Sequence, residues 1–168
     1  TARRLFLVAL AACSSPRADS RADSVAAEQR AARLEAAIAD SSNDSTDTPI
    51  ALWKMPDRLR EISGLALTAD GRLLTHGDER ARIFEIDYRR GRITREFDVG
   101  KPALHGDFDP IAVAGDSVYL LESDGILYSF RQGANGKSVD YAKVDTDLGA
   151  RCEFESMTYD SRIHALLL

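Results

Sequence analysis

From residue 50 onward, short runs of alternating apolar and polar residues are separated by turn-forming dipeptides. Residues 82–87 and 126–130 show the period-two alternation of a strand with one buried face. Asp70-Gly71 and Asp124-Gly125 stand between such runs, and Asp-Gly is a strong signal for a tight hairpin. The pattern predicts antiparallel β structure across 50–168 and no helix of useful length there.

One short segment occurs three times at a fixed interval. Its copies begin at Glu61, Asp107 and Glu153, so that successive copies are 46 residues apart. Each copy runs acid, large apolar, polar, turn-former or small, large apolar, small. Self-similarity at about 40 to 50 residues is typical of β-propeller blades. The sequence therefore predicts an all-β fold, a partial β-propeller with about two and a half four-stranded blades.

The first two copies each predict four strands. The predicted strands are 63–68, 72–76, 82–87, 92–98, 109–114, 117–121, 126–130 and 139–144. A turn at 159–162 and a strand at 163–168 begin a third blade. Because this blade has no further strands in the sequence, we expect residues 1–168 to be part of a longer product.

The first twelve residues have the features of an export signal. Arg3 and Arg4 precede the apolar run 5–12, which is too short to span a bilayer as a helix. The run ends in Leu10-Ala11-Ala12-Cys13, which resembles the lipobox of bacterial lipoproteins. The resemblance implies a signal peptide over 1–12, lipidation of Cys13 and stable membrane anchoring. Ser14 after the cysteine favours the periplasmic side of the outer membrane.

Residues 13–49 have the composition of a tether. They are mainly Ala, Ser, Asp and Arg, and such a segment buries too little surface to offset its ordering entropy. Ala27, Ala31, Leu34 and Ile38 form a thin apolar stripe at helical spacing within 24–40. A marginal helix, a contact with a partner and an absence of fixed structure all fit this stripe, and isolated helices of this length are barely stable.

The net charge of −5 and the pI near 5.2 argue against nucleic acid as a partner, because no basic stripe with interleaved aromatics is present. With Cys13 lipidated, Cys152 has no partner for a disulfide within the chain. Stability must then come from core burial. We expect Cys152 to be a small buried hydrophobe.

The stretch 53–66 and the segments Asp107-Phe108-Asp109 and Glu153-Phe154-Glu155 resemble the SdiA-regulated and esterase-like phytase group of bacterial propellers. The resemblance covers 52–168 and implies a ring of six blades, with Ile50–Met55 as the outermost strand of the last blade. Two positions depart from the family's glycine, namely Pro110 and Ser156. Neither residue permits the close backbone approach that Gly allows.

In a propeller the innermost strands line a central channel, so equivalent acids from successive blades converge. Because converging carboxylates repel one another, a hard cation, Ca²⁺ before Mg²⁺, is a natural partner for them. The candidate metal ligands are Glu61, Asp107, Asp109, Glu153 and Glu155. The alternative is structural: these acids cap turns, accept backbone N–H groups, or pair with Arg60, Arg80 or Arg151.

Two functions remain open. One is a non-catalytic propeller of the cell envelope that binds a small ligand or an envelope protein. The other is a phytase-like, metal-dependent phosphoesterase, in which the cation polarises a phosphate ester. Ser63 and Ser156 have no recognisable histidine partner, and no repeated basic residue stands beside the acids. We therefore favour the binding function and do not expect an enzyme.

Overall fold

The structure is a computed structural model that describes residues 10–11, 20–39 and 53–168. Cys13, most of the predicted signal peptide and the spacer 40–49 lie outside the described residues. The chain divides into two units. The first contains residues up to Arg60 together with Tyr88–Arg92, and the second contains Glu61–Asp87 together with Ile93–Leu168.

The first unit contains a helix and a short parallel strand pair. Strand β1 (Leu10–Ala11) pairs with β2 (Trp53–Lys54), and helix α1 spans Ser20–Ala39. The alanine content of α1 favours helix, and Leu34 of the apolar stripe is buried. Glu35 forms an ion pair with Arg89. Of the three alternatives for this stripe, the structure therefore has a helix, and no described helix is long and apolar enough to cross a membrane.

The second unit begins with a sheet in the order β10-β6-β5-β4-β3, in which β10 is Lys137–Val139. Turns join β3 to β4 and β5 to β6, and Gly71 at the first of these turns has a φ of 79°. Tight hairpin turns need this left-handed conformation, which is why Asp70-Gly71 predicts a turn here. The strand bounds are β3 Ile62–Leu67, β4 Leu73–Gly77, β5 Arg82–Asp87 and β6 Arg92–Val99.

A second antiparallel sheet repeats this plan in the order β11-β9-β8-β7. A register irregularity lies between Ile62 and Gly64 in β3 and between Phe108 and Ile111 in β7. The 46-residue repeat thus extends to the position of a β-bulge. The strand bounds are β7 Phe108–Ala114, β8 Ser117–Glu122, β9 Ile126–Arg131 and β11 Tyr141–Asp145.

The predicted strand 139–144 was wrong, because the chain changes sheets at Asp140. Strand β10 (Lys137–Val139) pairs in parallel with β6, whereas β11 pairs with β9. Gly133 makes this crossing possible, because a Cβ there would lie 2.8 Å from Cγ1 of Val139 and 2.9 Å from Cγ of Phe97. The outer edge of the first sheet is thereby covered by a strand from the second repeat.

The third repeat forms a hairpin of β12 (Thr158–Asp160) and β13 (Ala165–Leu167). The turn predicted at 159–162 is therefore displaced to 161–164. Asp160 accepts hydrogen bonds from the backbone and side chain of Arg162, which fixes the turn after the strand instead of within it.

One hydrophobic core lies between the first two sheets. Side chains from both sheets are buried in it and include Leu74, Ile83, Phe97, Phe108, Ile111, Val118, Leu120 and Phe130. Phe97 packs edge-on against Phe130, with ring centroids 6.3 Å apart. Strand β7 lies against β3 on one side and β12 on the other, so the first strands of all three repeats are neighbours.

Candidate functional site

The seam between β3 and β7 brings equivalent positions of two repeats together. The Ser63 hydroxyl donates to Oδ1 of Asp109 over 3.1 Å, and the two residues are 46 positions apart. The convergence expected of inner strands is therefore present for this pair. Its chemistry here is a hydrogen bond between blades, with the carboxylate as acceptor.

The same seam holds a fully buried histidine. His76 has 0% exposure, and its Nδ1 lies 2.8 Å from the Gly77 carbonyl, which can only accept, so we assign the proton to Nδ1. Among the described residues, Nε2 has no partner with hydrogen-bonding geometry. Burial lowers the pKa of His76, although the Gly77 and Asp109 carbonyls and the carboxylates of Asp109 and Asp78 oppose that change.

Gly64 is what allows this seam to close. A Cβ at this position would lie 2.6 Å from the Asp109 carbonyl oxygen, 2.6 Å from His76 Nε2 and 2.9 Å from Cγ2 of Ile111. No side chain fits there unless the second blade moves away. The glycine in the first copy of the repeat therefore serves blade packing.

We call the end at which β3 and β7 begin the mouth end. Here the Ser123 hydroxyl donates to Oδ2 of Asp107 over 2.7 Å, and the Ser123 amide donates to the Asp107 carbonyl over 3.0 Å. The Phe154 amide in turn donates to the Ser123 carbonyl over 3.2 Å. Asp107 thus fixes the turn between β8 and β9, on which the third repeat is built.

A pocket of about 400 Å³ opens beside this turn. Gly149 lies directly on the Asp124 carbonyl, where a Cβ would overlap it, so the pocket has a firm floor. Cys152 is exposed, so the expectation of a buried thiol is wrong. The lining residues are Ser123, Asp124, Gly149, Arg151, Cys152 and Glu153.

The predicted metal ligands do not form a donor set in the part of the chain that the structure describes. No three His, Cys, Asp or Glu side chains there lie close enough together to hold a metal ion. Asp107 and Asp109 are each engaged by a serine hydroxyl, and Glu61, Glu153 and Glu155 are exposed. Calcium binding by these five acids stays a prediction.

Sequence reasoning missed one further carboxylate at the mouth end, that of Glu122. Burial raises the pKa of Glu122, with a further contribution from the charge of Asp124, while a hydrogen bond with Tyr128 acts in the opposite direction. Burial and the charge of Glu122 raise the pKa of Tyr128 to about 12. Lys143 Nζ lies 5.6 Å from the centre of the Tyr128 ring. Glu122 lies at the end of β8, outside the repeated motif, so no spacing pointed to it.

Sequence reasoning also missed an arginine cluster at the opposite end, which we call the hairpin end because the β3–β4 and β7–β8 turns lie there. Arg72 and Arg95 both donate to Oε2 of Glu85, each over 2.6 Å. Both also donate to Oε1 of Gln132, over 2.9 and 2.7 Å. These residues are up to 60 positions apart, so no local pattern could have united them.

The strand arrangement defines the class of protein. Two consecutive four-stranded meanders stand face to face, and the first strand of each repeat neighbours the first strand of the next. This is the radial stacking of propeller blades. The second unit is therefore a partial β-propeller, with two four-stranded blades and the first hairpin of a third.

Comparisons with known proteins add little to this class. No family model and no curated protein matches the sequence. Among solved structures, the chain is similar to the β-propeller domain of Cps50 (Swd1) from Myceliophteria thermophila, with a TM-score of 0.44 and 15% identity. That similarity covers 67% of this chain and 38% of the other, so the chain spans well under half of that domain's length.

Proposed function

We propose that this chain supplies part of a cell-envelope lipoprotein whose β-propeller binds a small ligand or a protein without catalysis. The observation that carries the proposal is the use made of the acids on the inner strands. Asp107 and Asp109 accept hydrogen bonds from Ser123 and Ser63, so these carboxylates stabilise turns and blade packing. A fold of this kind provides a scaffold for many functions, and here the inner strands provide rigidity.

The mouth-end pocket is the place where we expect the ligand. It has hydroxyl, carboxylate and guanidinium groups on a floor fixed by Gly149, which suits recognition by hydrogen bonds. Within the described residues, Ser63 donates to a carboxylate and has no histidine partner in reach of its hydroxyl. Such a serine is not the activated nucleophile of a hydrolase.

The lipid anchor is tested by metabolic labelling with a palmitate analogue in a bacterial host. We expect the wild-type chain to take up the label and to fractionate with the outer membrane, whereas Cys13→Ser should do neither. The matched control is Cys152→Ser, which should label like wild type. Equal labelling of wild type and Cys13→Ser would remove the lipoprotein part of the proposal.

A phytase-like phosphoesterase is the second candidate, and one observation favours it. Arg151 lines the same pocket as Asp124 and Glu153, so a guanidinium that could steady a phosphate group is close to two acids. The resemblance to SdiA-regulated and esterase-like phytase propellers points the same way. Calcium-dependent turnover of p-nitrophenyl phosphate that is lost in Arg151→Gln would favour the enzyme. We expect no turnover with or without calcium.

A further inference from the structure

We propose that the hairpin end carries a binding site for a phosphate group, formed between the first two blades and independent of the mouth-end pocket. A depression of about 290 Å³ lies there, close to the lower limit of about 300 Å³ for small-ligand sites. Its lining contains three guanidinium groups, one amide and one carboxylate, from Arg72, Arg95, Arg131, Gln132 and Asp116.

Two of the three guanidinium groups are held in place before any ligand arrives. Arg72 and Arg95 share the same two acceptor oxygens, one on Glu85 and one on Gln132, at 2.6 to 2.9 Å. Arg95 also donates to the Gly133 carbonyl over 3.0 Å. Glu85 compensates only one of these two positive charges, so the pair still favours a further anion beside it, and its fixed orientation lowers the entropic cost of binding one.

The carboxylates around the cluster differ in exposure, and therefore in how easily an incoming anion can displace them. Glu85 has a side chain only 12% exposed and belongs to the framework of the site. Asp70 and Asp116 contact Arg72 and Arg131, but their side chains are 61% and 87% exposed. Exposed ion pairs contribute about 0 to 1 kcal/mol, so an incoming anion can displace these two carboxylates at little cost.

Arg131 is the residue that we expect to close on the ligand. Its side chain is 74% exposed, and its Nη1 lies 3.0 Å from Oδ2 of Asp116. The guanidinium can turn from that carboxylate to a phosphate, which offers three acceptor oxygens and a higher charge. Arginine recognises phosphate through paired, charge-assisted hydrogen bonds, so a phosphate group fits this lining better than a single carboxylate does.

The test is calorimetric and NMR titration of the full 168-residue chain with inorganic phosphate, and in parallel with glycerol phosphate, at fixed ionic strength. We expect both probes to bind and to shift the resonances of Arg131 and Gln132. Binding of the ester alone would still support the site and would assign it to phosphate monoesters. If neither probe binds up to millimolar concentration, the proposal is overturned.

Three exposed-site variants make the result specific. Arg131→Gln should weaken binding about tenfold, since it removes a charge-assisted contact, and Asp116→Asn should tighten it because a competing carboxylate is gone. The matched control is Arg162→Gln, which removes an 85% exposed arginine from a similar pair with Asp160 and should leave binding unchanged. Equal weakening by Arg131→Gln and Arg162→Gln would show a nonspecific charge effect and contradict the site.

Discussion

The first two blades have the same sequence pattern at their inner strands but bury it differently. Leu65 in β3 is 47% exposed, whereas Ile111, the residue 46 positions later in β7, is 3% exposed. Leu67 is likewise exposed, whereas its counterpart Val113 packs against the core. The local pattern is the same, so burial at these positions depends on the neighbouring blade. The seam between the blades, more than strand propensity, therefore stabilises this fold.

The largest effect on stability should come from truncating the apolar side chain at the equivalent position of each blade. Ile111→Ala should lower the free energy of unfolding by about 2 to 4 kcal/mol, since it leaves a cavity in the shared core. Leu65→Ala should change it by no more than about 0.5 kcal/mol, as is usual for exposed positions. Urea unfolding followed by circular dichroism measures both. Similar losses in the two variants would mean that the seam does not bury Ile111 more deeply than Leu65.

The next largest effect on stability concerns two glycines of the first blade, Gly64 and Gly77. Gly64→Ala should destabilise by about 1 to 3 kcal/mol through overpacking, because the added methyl meets the Asp109 carbonyl and His76 at 2.6 Å. Gly77→Ala is the control, since its nearest neighbour is the Glu61 carbonyl at 3.1 Å. Thermal unfolding of the two variants should place Gly64→Ala clearly lower. A reversed order would mean that the two blades do not approach one another closely at Gly64.

The buried histidine should make the seam sensitive to acid. Because burial lowers the pKa of His76 in the folded chain, the unfolded chain takes up the proton first as pH falls below about 6.5. Stability is therefore present above that pH and declines below it, by up to about 1.4 kcal/mol per pH unit. His76→Gln should flatten this part of the profile, whereas His105→Gln, at an exposed residue, should not. An unchanged profile in His76→Gln would contradict the assignment.

The smallest effect should be on the pH dependence of stability, to which Glu85 and Glu122 contribute with opposite signs. Burial raises the pKa of Glu85, but hydrogen bonds from Thr94 and Arg72 and the charge of Arg95 lower it below its usual value overall. Its contribution is present above the unfolded pKa and is lost as pH falls through the folded one. The raised pKa of Glu122 gives a contribution present at low pH and lost as pH rises. Unfolding of Glu85→Gln and Glu122→Gln at pH 4 and pH 7 should show opposite trends relative to wild type.

The repeat was predictable from the sequence because each blade has local signals. Asp70-Gly71 and Asp124-Gly125 mark turns that the structure contains, and seven of the eight predicted strands in the first two copies agree within a residue at each end. The crossing at Asp140 was not predictable, since alternation in 139–144 is the same whichever sheet each residue joins. Similarly, the exposure of Cys152 depends on how the third repeat lies over the β8–β9 turn.

The candidate sites were less predictable than the fold. Asp109 lies beside Ser63, the residue 46 positions earlier, but a spacing does not tell whether a carboxylate meets a cation or a hydroxyl. The arginine cluster combines residues from four strands and turns of two blades. Only the packing of the blades brings these residues together, and that packing rests on Gly64, which in the sequence is an ordinary small residue.

β3 and β7 pack as the inner strands of adjacent blades, and their contact at Gly64 and Ile111 can be measured. The measurement is a nuclear Overhauser experiment on the isotope-labelled chain. Since a Cβ at Gly64 would lie 2.9 Å from Cγ2 of Ile111, we predict a strong cross-peak between the Gly64 α-protons and the γ2 methyl of Ile111. If that methyl shows cross-peaks only to residues of its own sheet, the blades do not pack in this way and the account is wrong.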